Sequence, residues 1–222
     1  KIKTDKGQEI SVGVIPAGRC NDFQSSVRLP SKPEKIAEWI IGGKVRSIDL
    51  GRTDGRYYIT VATLGFDSAV SQYVADGRAP RFLSGTPAYL YAIMVQLKQY
   101  KDTFVRLKSD SFEFEGDIFL AATANIPQYG GSMMIAPSAV VDDGALDLCL
   151  VRSVSRWEVL KMLPRIFKGG HVYHPAVSLH RVKRIEIETR RPLWVWADGE
   201  PLTQTKAVIE VAPNALSIVA PP

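Results

Sequence analysis

Short stretches of alternating apolar and polar residues dominate this sequence and predict a protein built mainly of β-strands. Nine segments are rich in β-branched or aromatic residues and are bounded by Gly, Pro, Asp or Asn: ISVGVIP, KVRSIDLG, YYITVATLG, FVRLKSD, DIFLAATAN, LDLCLVRSV, RIEIETR, PLWVWADGE and AVIEVAP. We interpret RVKRIEIETR as one alternating strand with its charges in water. The TDGR sequence at residues 53–56 predicts a hairpin, because Asp-Gly accepts positive φ. Strands at this spacing are typical of an antiparallel β-sandwich.

Three stretches have helical periodicity instead, and the first two carry boundary signals. SKPEKIAEWIIGG has Ser31 as a candidate N-cap, and its pair of glycines predicts its end. TPAYLYAIMVQLKQY, within residues 67–100, begins with Thr86-Pro87, a favourable N-cap and first-turn pair. We therefore predict an α+β fold that is mainly β with a few helices.

The third helical stretch, SRWEVLKMLPRIFKGG, is amphipathic and begins with Ser155, and Pro164 should kink or divide it. The apolar faces of this helix and of TPAYLYAIMVQL leave two readings open. They pack in the core, or they line an acyl channel or touch a membrane.

The composition narrows the class of protein without selecting a function. The 222 residues are 45% hydrophobic, enough for one large core or two small domains. No apolar run approaches the roughly 18 residues of a membrane-spanning helix. The net charge of +5 suits an anionic membrane surface or a phosphorylated substrate. Basic and aromatic residues do not interleave, so nucleic-acid binding is not predicted. Cys20 and Cys149 lie far apart, which is typical of a reduced, cytosolic protein.

The beginning of the chain predicts that a larger domain precedes the first strand. An apolar strand follows only ten residues from the start and runs directly into a glycine turn. A parallel α/β domain would need earlier strands for this one to pair with.

The first segment that could carry chemistry is IPAGRCNDF, residues 15–23. Gly18 permits a tight turn whose backbone N–H groups can face a phosphate, and Asp22 could help to organise a magnesium ion. The alternative is that Asn21-Asp22 is an ordinary helix start.

The second segment runs from Asn125 to Asp147, NIPQYGGSMMIAPSAVVDDGALD. Its paired glycines allow a tightly turned backbone, and an acidic patch follows before a strand. A loop of this kind can give a hard cation one carboxylate and several backbone carbonyls. An Asp-Gly turn between strands is the alternative.

The third segment is WVWADGEP, in which a strand ends in a turn that displays Asp198 and Glu200. One carboxylate could accept a proton from a hydroxyl, and the other could orient it. A plain turn is again the alternative.

Taken in order, these segments resemble the catalytic family of diacylglycerol kinases, which includes bacterial lipid kinases and the related sphingosine and ceramide kinases. The series is IPAGRCNDF, LGFD at residues 64–67, NIPQYGG, APSAVVDDGALD, DGE and finally APNAL. The resemblance implies transfer of the γ-phosphoryl group of ATP to a lipid hydroxyl. It also implies the C-terminal β-sandwich lobe of a two-lobe fold whose first lobe is an α/β nucleotide-binding domain.

The resemblance implies a role for each acidic segment, with ATP and Mg²⁺ as cofactors. Residues of the first turn (Gly18, Arg19, Asn21 and Asp22) would face ATP and its magnesium. In the second segment, the carboxylate of Asp143 and the carbonyls of Val140 and Ala145 would hold a structural magnesium ion. In the third, Asp198 would be the general base on the lipid hydroxyl, with Glu200 beside it.

Two departures from the family pattern limit what the chain is expected to do alone. The family's Gly-Gly-Asp-Gly-Thr nucleotide loop is absent from these 222 residues, and Arg19-Cys20 replaces Thr-Gly in the first turn. Where the backbone needs positive φ, Cys costs more than Gly. We therefore divide the chain into residues 1–40, a remnant of the nucleotide lobe to which the chain end returns, and residues 41–222, the sandwich domain. The chain is then incomplete for catalysis by itself.

Two functional hypotheses follow. The chain belongs to a cytoplasmic lipid kinase that contacts the membrane surface peripherally, with a homodimer or a separate chain supplying the nucleotide lobe. Alternatively it is a non-catalytic lipid- or partner-binding module derived from such a kinase. A kinase with a soluble acceptor, similar to NAD kinases, is a weaker alternative, because the DGE motif is closer to that of the lipid kinases.

Overall fold

The computed structural model describes residues 10–18, 20–83 and 86–220, and strands make up most of it. The strands are β1 (Ser11–Val12), β2 (Lys44–Thr53), β3 (Arg56–Tyr58), β4 (Val61–Gly65), β5 (Thr103–Ser109), β6 (Glu113–Ala124), β7 (Leu146–Arg152), β8 (Val177–Val182), β9 (Arg184–Thr189), β10 (Trp194–Ala197), β11 (Glu200–Gln204) and β12 (Ala207–Ala220). The helices are α1 (Asp22–Ser26), α2 (Pro33–Gly42), α3 (Phe66–Ala75), α4 (Thr86–Gln99) and α5 (Arg156–Ile166), and a 3₁₀ turn covers Gly170–Tyr173.

All twelve strands belong to one sheet, in which the order β11-β10-β4-β6-β5-β9-β12-β2-β3 is joined by β1 beside β12 and by β7 and β8 as a branch. Every pairing is antiparallel except that of β1 with β12. The branch arises because β6 is long: its first half pairs with β5, and its second half pairs with β4 and β7. The predicted mainly β, antiparallel architecture is confirmed.

Side chains close the sheet into a near-barrel where its two end strands, β3 and β11, meet. The guanidinium of Arg56 donates from Nη1 to the carbonyls of Pro201 and Leu202, both at 2.8 Å. The hydroxyl of Thr203 donates to the carboxylate of Asp54 in the hairpin turn. We call this group of contacts the seam. It substitutes for the ladder of backbone hydrogen bonds that would close a complete barrel.

The interior of the near-barrel is the main apolar core. Alternate residues of most strands point into it, and Val105, Leu107, Ile118 and Ile185 are fully buried there. Burial of each such side chain contributes about 1.5–3 kcal/mol to the free energy of unfolding. The core thus fixes the positions of the loops at the strand ends.

A second core lies between the outer face of the sheet and helices α3, α4 and α5. Phe66 of α3 stacks on Phe119 of β6 with ring centroids 4.5 Å apart, and Ala92 of α4 and Met162 of α5 are buried in the same cluster. A third, smaller cluster joins the segment after α1 to β12 through Val27 and Ile218. The division at residue 40 stays a prediction.

The helix boundaries confirm some of the predicted signals and correct others. Ser155 caps α5 through a complete capping box with Glu158, as its sequence position predicts. The predicted cap at Ser31 is wrong, because α2 begins at Pro33 and its N-cap position is Lys32. Pro164 does not divide α5, which continues to Ile166. A proline this near the helix end leaves most of the hydrogen-bond ladder before it intact.

Of two predictions about strands, one is confirmed and one is wrong. The hairpin at residues 53–56 is confirmed, with φ of 48° at Asp54 and 74° at Gly55. RVKRIEIETR is not one strand. Its first residues end β8 and its last ones form β9, with Lys183 between them. Both halves alternate in sequence, so the break at Lys183 has no signal in the periodicity.

Candidate functional site

The turn after β1 is closed by its own asparagine. Asn21 has left-handed backbone angles (φ 51°, ψ 35°), and its side chain both accepts from the Gly18 N–H at 3.0 Å and donates to the Gly18 carbonyl at 2.9 Å. Asn tolerates this conformation better than most residues. Arg19, the predicted phosphate-binding cation of this turn, lies outside the described residues.

Asp22 follows as the first residue of α1, and it binds a distant loop. Its two carboxylate oxygens accept from the backbone N–H of Gly131 at 2.9 Å and of Ser132 at 2.8 Å. Both loop residues have positive φ, 87° and 73° respectively, and consecutive N–H groups in such a backbone can turn towards one anion. Asp22 therefore fixes the first turn to the loop between β6 and β7.

Asp67, in the first turn of α3, is a second carboxylate at this loop. The hydroxyl of Tyr129 donates to its Oδ1 at 3.0 Å. Burial raises the pKa of Asp67 above its ordinary value, although hydrogen bonds from Thr63 and Tyr129 oppose the shift. The pKa of Tyr129 is raised well above its usual range, first by burial and then by the neighbouring carboxylate. A buried carboxylate with a raised pKa is frequent at functional sites.

Tyr89 connects Asp67 with the first turn. Burial raises the pKa of Tyr89, and electrostatic interactions with Asp67 and Cys20 add to the shift. A side chain of α4 thus lies within electrostatic range of both segments.

Asp198 occupies the turn after β10 with a φ of 52°. Its carboxylate accepts from the backbone N–H of Ile59 at 2.7 Å, from that of Thr60 at 3.0 Å, and from the Thr60 hydroxyl. Glu200, its predicted companion, is exposed and lies 3.8 Å from the guanidinium of Arg56. The predicted pair therefore faces two different partners, one on the chain before β4 and one at the seam.

One loop, residues 125–132, links all three carboxylates. Its first residue, Asn125, donates from its backbone N–H to the Thr60 carbonyl at 2.9 Å and from its side chain to the Ile59 carbonyl at 3.0 Å. This is the segment that holds Asp198. The tyrosine of the loop then binds the carboxylate in α3, and its last two residues bind the carboxylate in α1.

The turn of residues 140–145, which was predicted to bind magnesium, has a basic side chain beside its carboxylate. Asp143 accepts from the Ala145 N–H at 3.1 Å, and its Oδ2 lies 2.7 Å from a guanidinium nitrogen of Arg181. Val140 and Ala145 belong to the same turn, which Asp49 fixes from β2 by accepting from the Gly144 N–H at 2.6 Å. Because Arg181 already balances the charge of Asp143, a cation would have to displace it. Magnesium at this turn stays a prediction.

Arg181 balances the charge of Asp143, but within the described residues no basic side chain does the same for Asp22, Asp67 or Asp198. Within the described ranges, none of the three forms an ion pair with Lys, Arg or His. The described residues also contain no group of three or more His, Cys, Asp or Glu able to hold a metal by themselves. Such carboxylates suit a cation that brings most of its ligands with it, as Mg²⁺ does when it is bound to phosphates.

Comparison with known proteins gives two family matches that together cover most of the chain. The YegS C-terminal NAD kinase beta sandwich-like domain matches residues 60–220, and the diacylglycerol kinase catalytic domain matches residues 2–53. The chain belongs to the diacylglycerol kinase and YegS-like lipid kinase family. The resemblance inferred from the order of the motifs is thereby confirmed.

Individual members of the family align over nearly the whole chain. Diacylglycerol kinase of Mycobacterium tuberculosis is 35% identical over an alignment that covers 97% of this chain and 71% of that protein. The protein named "Probable lipid kinase YegS-like" of Shewanella frigidimarina is 30% identical over 96% of this chain and 68% of its own length.

The fold also matches solved structures. The crystal structure of a diacylglycerol kinase from Bacillus anthracis superposes with a TM-score of 0.69 at 20% identity, covering 96% of this chain and 67% of that one. A second crystal structure from the same strain gives a TM-score of 0.75, also at 20% identity. Within the described residues, the helices are too short or too polar to cross a bilayer.

Two acidic residues near the site, Asp67 and Asp49, were not identified as candidates from the sequence. Asp67 is visible there only as part of the LGFD motif, and its partner Tyr129 is distant in sequence. Asp49, which is 1% exposed, is an acidic residue inside the apolar strand SIDLG. That contrast is the signal that could have identified it, since buried carboxylates need dedicated hydrogen-bond partners.

Proposed function

We propose that this chain takes part in transfer of the γ-phosphoryl group of ATP to a hydroxyl group of a lipid, with magnesium accompanying the nucleotide. The observation that carries the proposal is that the loop of residues 125–132 binds the carboxylates of Asp22 and Asp67 directly and also binds the Ile59–Thr60 segment that holds Asp198. Within the described residues none of these three carboxylates forms an ion pair. The transferring phosphate needs metal ions and positioned groups more than it needs covalent chemistry from the protein.

The nucleotide would lie at the first turn. The side chain of Asn21 holds this turn in shape through its two hydrogen bonds to Gly18, and Arg19 can bind a phosphate by two parallel hydrogen bonds. Asp22 and Asp67 have the hard oxygen atoms that suit a magnesium ion carried by the nucleotide. The ion, when bound, would neutralise charge on the phosphoryl group.

Asp198 would accept the proton of the lipid hydroxyl. Its three hydrogen bonds to the Ile59–Thr60 segment hold the carboxylate in one orientation, which is what a general base requires. Glu200 does not enter this step, because its contact is with Arg56 at the seam.

The first test is calorimetric titration of the chain with ATP in the presence of magnesium. Binding at micromolar to sub-millimolar affinity is expected, and it should weaken in the Asp22→Asn variant. Binding of lipid but not of ATP would favour the non-catalytic module instead.

The second test concerns Asp198→Asn, assayed by phosphate transfer to diacylglycerol in mixed micelles. A base of this kind contributes about 10²–10⁴-fold to kcat, so that loss is expected. Asp110→Asn is the matched control, because Asp110 is exposed and its side chain has no hydrogen bond or ion pair within the described residues.

Thermal unfolding of both variants separates the chemical role from the structural one. Asp198 also joins two segments, so a modest fall in Tm is expected for Asp198→Asn. For the assembled enzyme, an unchanged kcat in folded Asp198→Asn would contradict the proposal.

A further inference from the structure

Helix α5 has two faces of opposite character. Val159 and Met162 are buried against the sheet. The other side carries Trp157, Lys161, Pro164 and Arg165, all exposed and spaced at the three- and four-residue intervals that share one side of a helix, and exposed Lys168 follows in the turn that ends the helix. We call these five residues the α5 face.

Large aromatic side chains accompany the α5 face. Trp157 is 75% exposed, Phe167 at the end of the helix is 51% exposed, and Tyr173 in the following 3₁₀ turn is 89% exposed. Single exposed apolar residues are ordinary on soluble proteins, but three aromatic residues around one helix indicate a surface used for contact.

The charge of the α5 face is positive, and the one acidic side chain of the helix, Glu158, offsets it only in part through its electrostatic interaction with Lys161. Within the part of the chain that the structure describes, Lys161, Arg165 and Lys168 form no ion pair. Glu158 also accepts from the backbone N–H and hydroxyl of Ser155 at 2.9 and 2.7 Å and lies 3.8 Å from His174.

We propose that the α5 face docks the protein on an anionic lipid bilayer. Lysine and arginine attract acidic headgroups, and tryptophan and tyrosine prefer the boundary between headgroups and acyl chains. Their long side chains keep the charge in water while the apolar portions enter the interface. A nucleic acid would meet the same cations, but the exposed Trp, Phe and Tyr around the helix favour a bilayer.

Helix α5 and the turn after it contact the segment that follows the loop of residues 125–132, so docking would also position this loop. The Met134 N–H donates to the Ile166 carbonyl of α5 at 3.0 Å, and His171 is hydrogen-bonded to the Ile135 carbonyl at 3.2 Å. These residues directly continue the loop of residues 125–132. Docking would therefore hold that loop near the surface that contains a lipid substrate. The inference goes beyond phosphoryl transfer, because docking requires neither ATP nor turnover.

The test is cosedimentation of the chain with vesicles of phosphatidylcholine containing 30 mol% phosphatidylglycerol (roughly the anionic charge density at which basic residues bind), in the absence of nucleotide. The triple variant Lys161→Glu, Arg165→Glu, Lys168→Glu should partition about 100-fold more weakly or worse. The triple variant Lys35→Glu, Lys44→Glu, Lys183→Glu makes the same change in net charge at exposed positions elsewhere and should retain most of the binding.

Three further measurements complete the test. Trp157→Ala should weaken partitioning several-fold even at high salt, where electrostatic attraction is screened. Vesicles of phosphatidylcholine alone should bind poorly. Equal loss in both triple variants would mean that net charge rather than the α5 face drives binding. That result, no vesicle binding by the wild type, or preference for a single-stranded oligonucleotide over vesicles would overturn the proposal.

Discussion

At the scale of single residues, Asp67 shows how a buried carboxylate costs stability. Burial raises its pKa in the folded protein above the value of about 3.9 expected in the unfolded chain. Ionisation is therefore less favourable in the folded state than in the unfolded state. The stability associated with the protonated form is fully present below the unfolded pKa and is lost as the pH rises through the folded pKa.

Asp67→Asn should therefore raise Tm at pH 7–8, and the gain should disappear as the pH falls towards about 4. The amide keeps an oxygen that can accept from Tyr129 while it removes the charge. Thermal unfolding followed by circular dichroism across this pH range measures the effect. A variant less stable than the wild type at pH 7 would contradict this account, and Asp110→Asn should show no such pH dependence.

Single residues also show how far the sequence could locate the site. Asp198 follows a strand and precedes Gly199, and Asp22 ends the turn that contains Gly18, so local turn chemistry marks both as candidates while the family resemblance alone implies their roles. Their partners could not be identified in the same way. The Ile59 N–H that binds Asp198 is 139 residues away in sequence, and the Gly131 N–H that binds Asp22 is 109 residues away. Such contacts depend on the order of strands in the sheet, which periodicity does not encode.

At the scale of elements, the junction between β4 and α3 determines where Asp67 lies. Gly65 ends the strand with a φ of 99°, and a Cβ atom there would lie 2.6 Å from the Phe119 carbonyl oxygen and 3.0 Å from the Leu120 Cα. Both are backbone atoms and cannot rotate away. The glycine is thus required by conformation and by close approach at once.

Gly65→Ala should lower the free energy of unfolding by about 3 kcal/mol or more, since backbone strain and overpacking add. Gly77→Ala is the matched control at the other end of α3. Gly77 also has positive φ, 67°, but nothing lies within 4 Å of its added Cβ. Urea denaturation should show a loss of only about 1 kcal/mol for Gly77→Ala. Equal losses in the two variants would show that the close approach to β6 is unimportant.

Elements were predicted well where their signals are local. The start of α5 at Ser155 and the Asp-Gly hairpin depend on residues within one turn of each other, and both predictions are confirmed. The break between β8 and β9 at Lys183 depends instead on β8 leaving to pair with β7 while β9 pairs with β5 and β12. That choice is made by tertiary packing.

At the scale of the whole molecule, the mainly β class followed from composition and alternation, whereas the closure of the sheet did not. The seam joins residues 54–56 to residues 201–203 through side chains alone. Neither sequence contains a feature that identifies the other as its partner.

Arg56→Ala should open the seam and lower the free energy of unfolding by about 1–2 kcal/mol, because two backbone carbonyls lose a charged donor. Arg106→Ala removes an equally exposed arginine whose contacts are surface ion pairs, and it should cost less than about 1 kcal/mol. Chemical denaturation of the two variants provides the comparison. An Arg56→Ala protein as stable as Arg106→Ala would mean that the seam contributes nothing.

The seam also bears on how the protein avoids polymerising. The end strands of a sheet are templates on which a second chain can add a strand, the first event in fibril growth. Here β3 and β11 face each other, Arg56 covers two carbonyls of β11, and Pro201 removes one of its donors. One arginine and one proline thus protect the two strands at the ends of the main strand order, and we expect their replacement to show first as precipitation at high concentration.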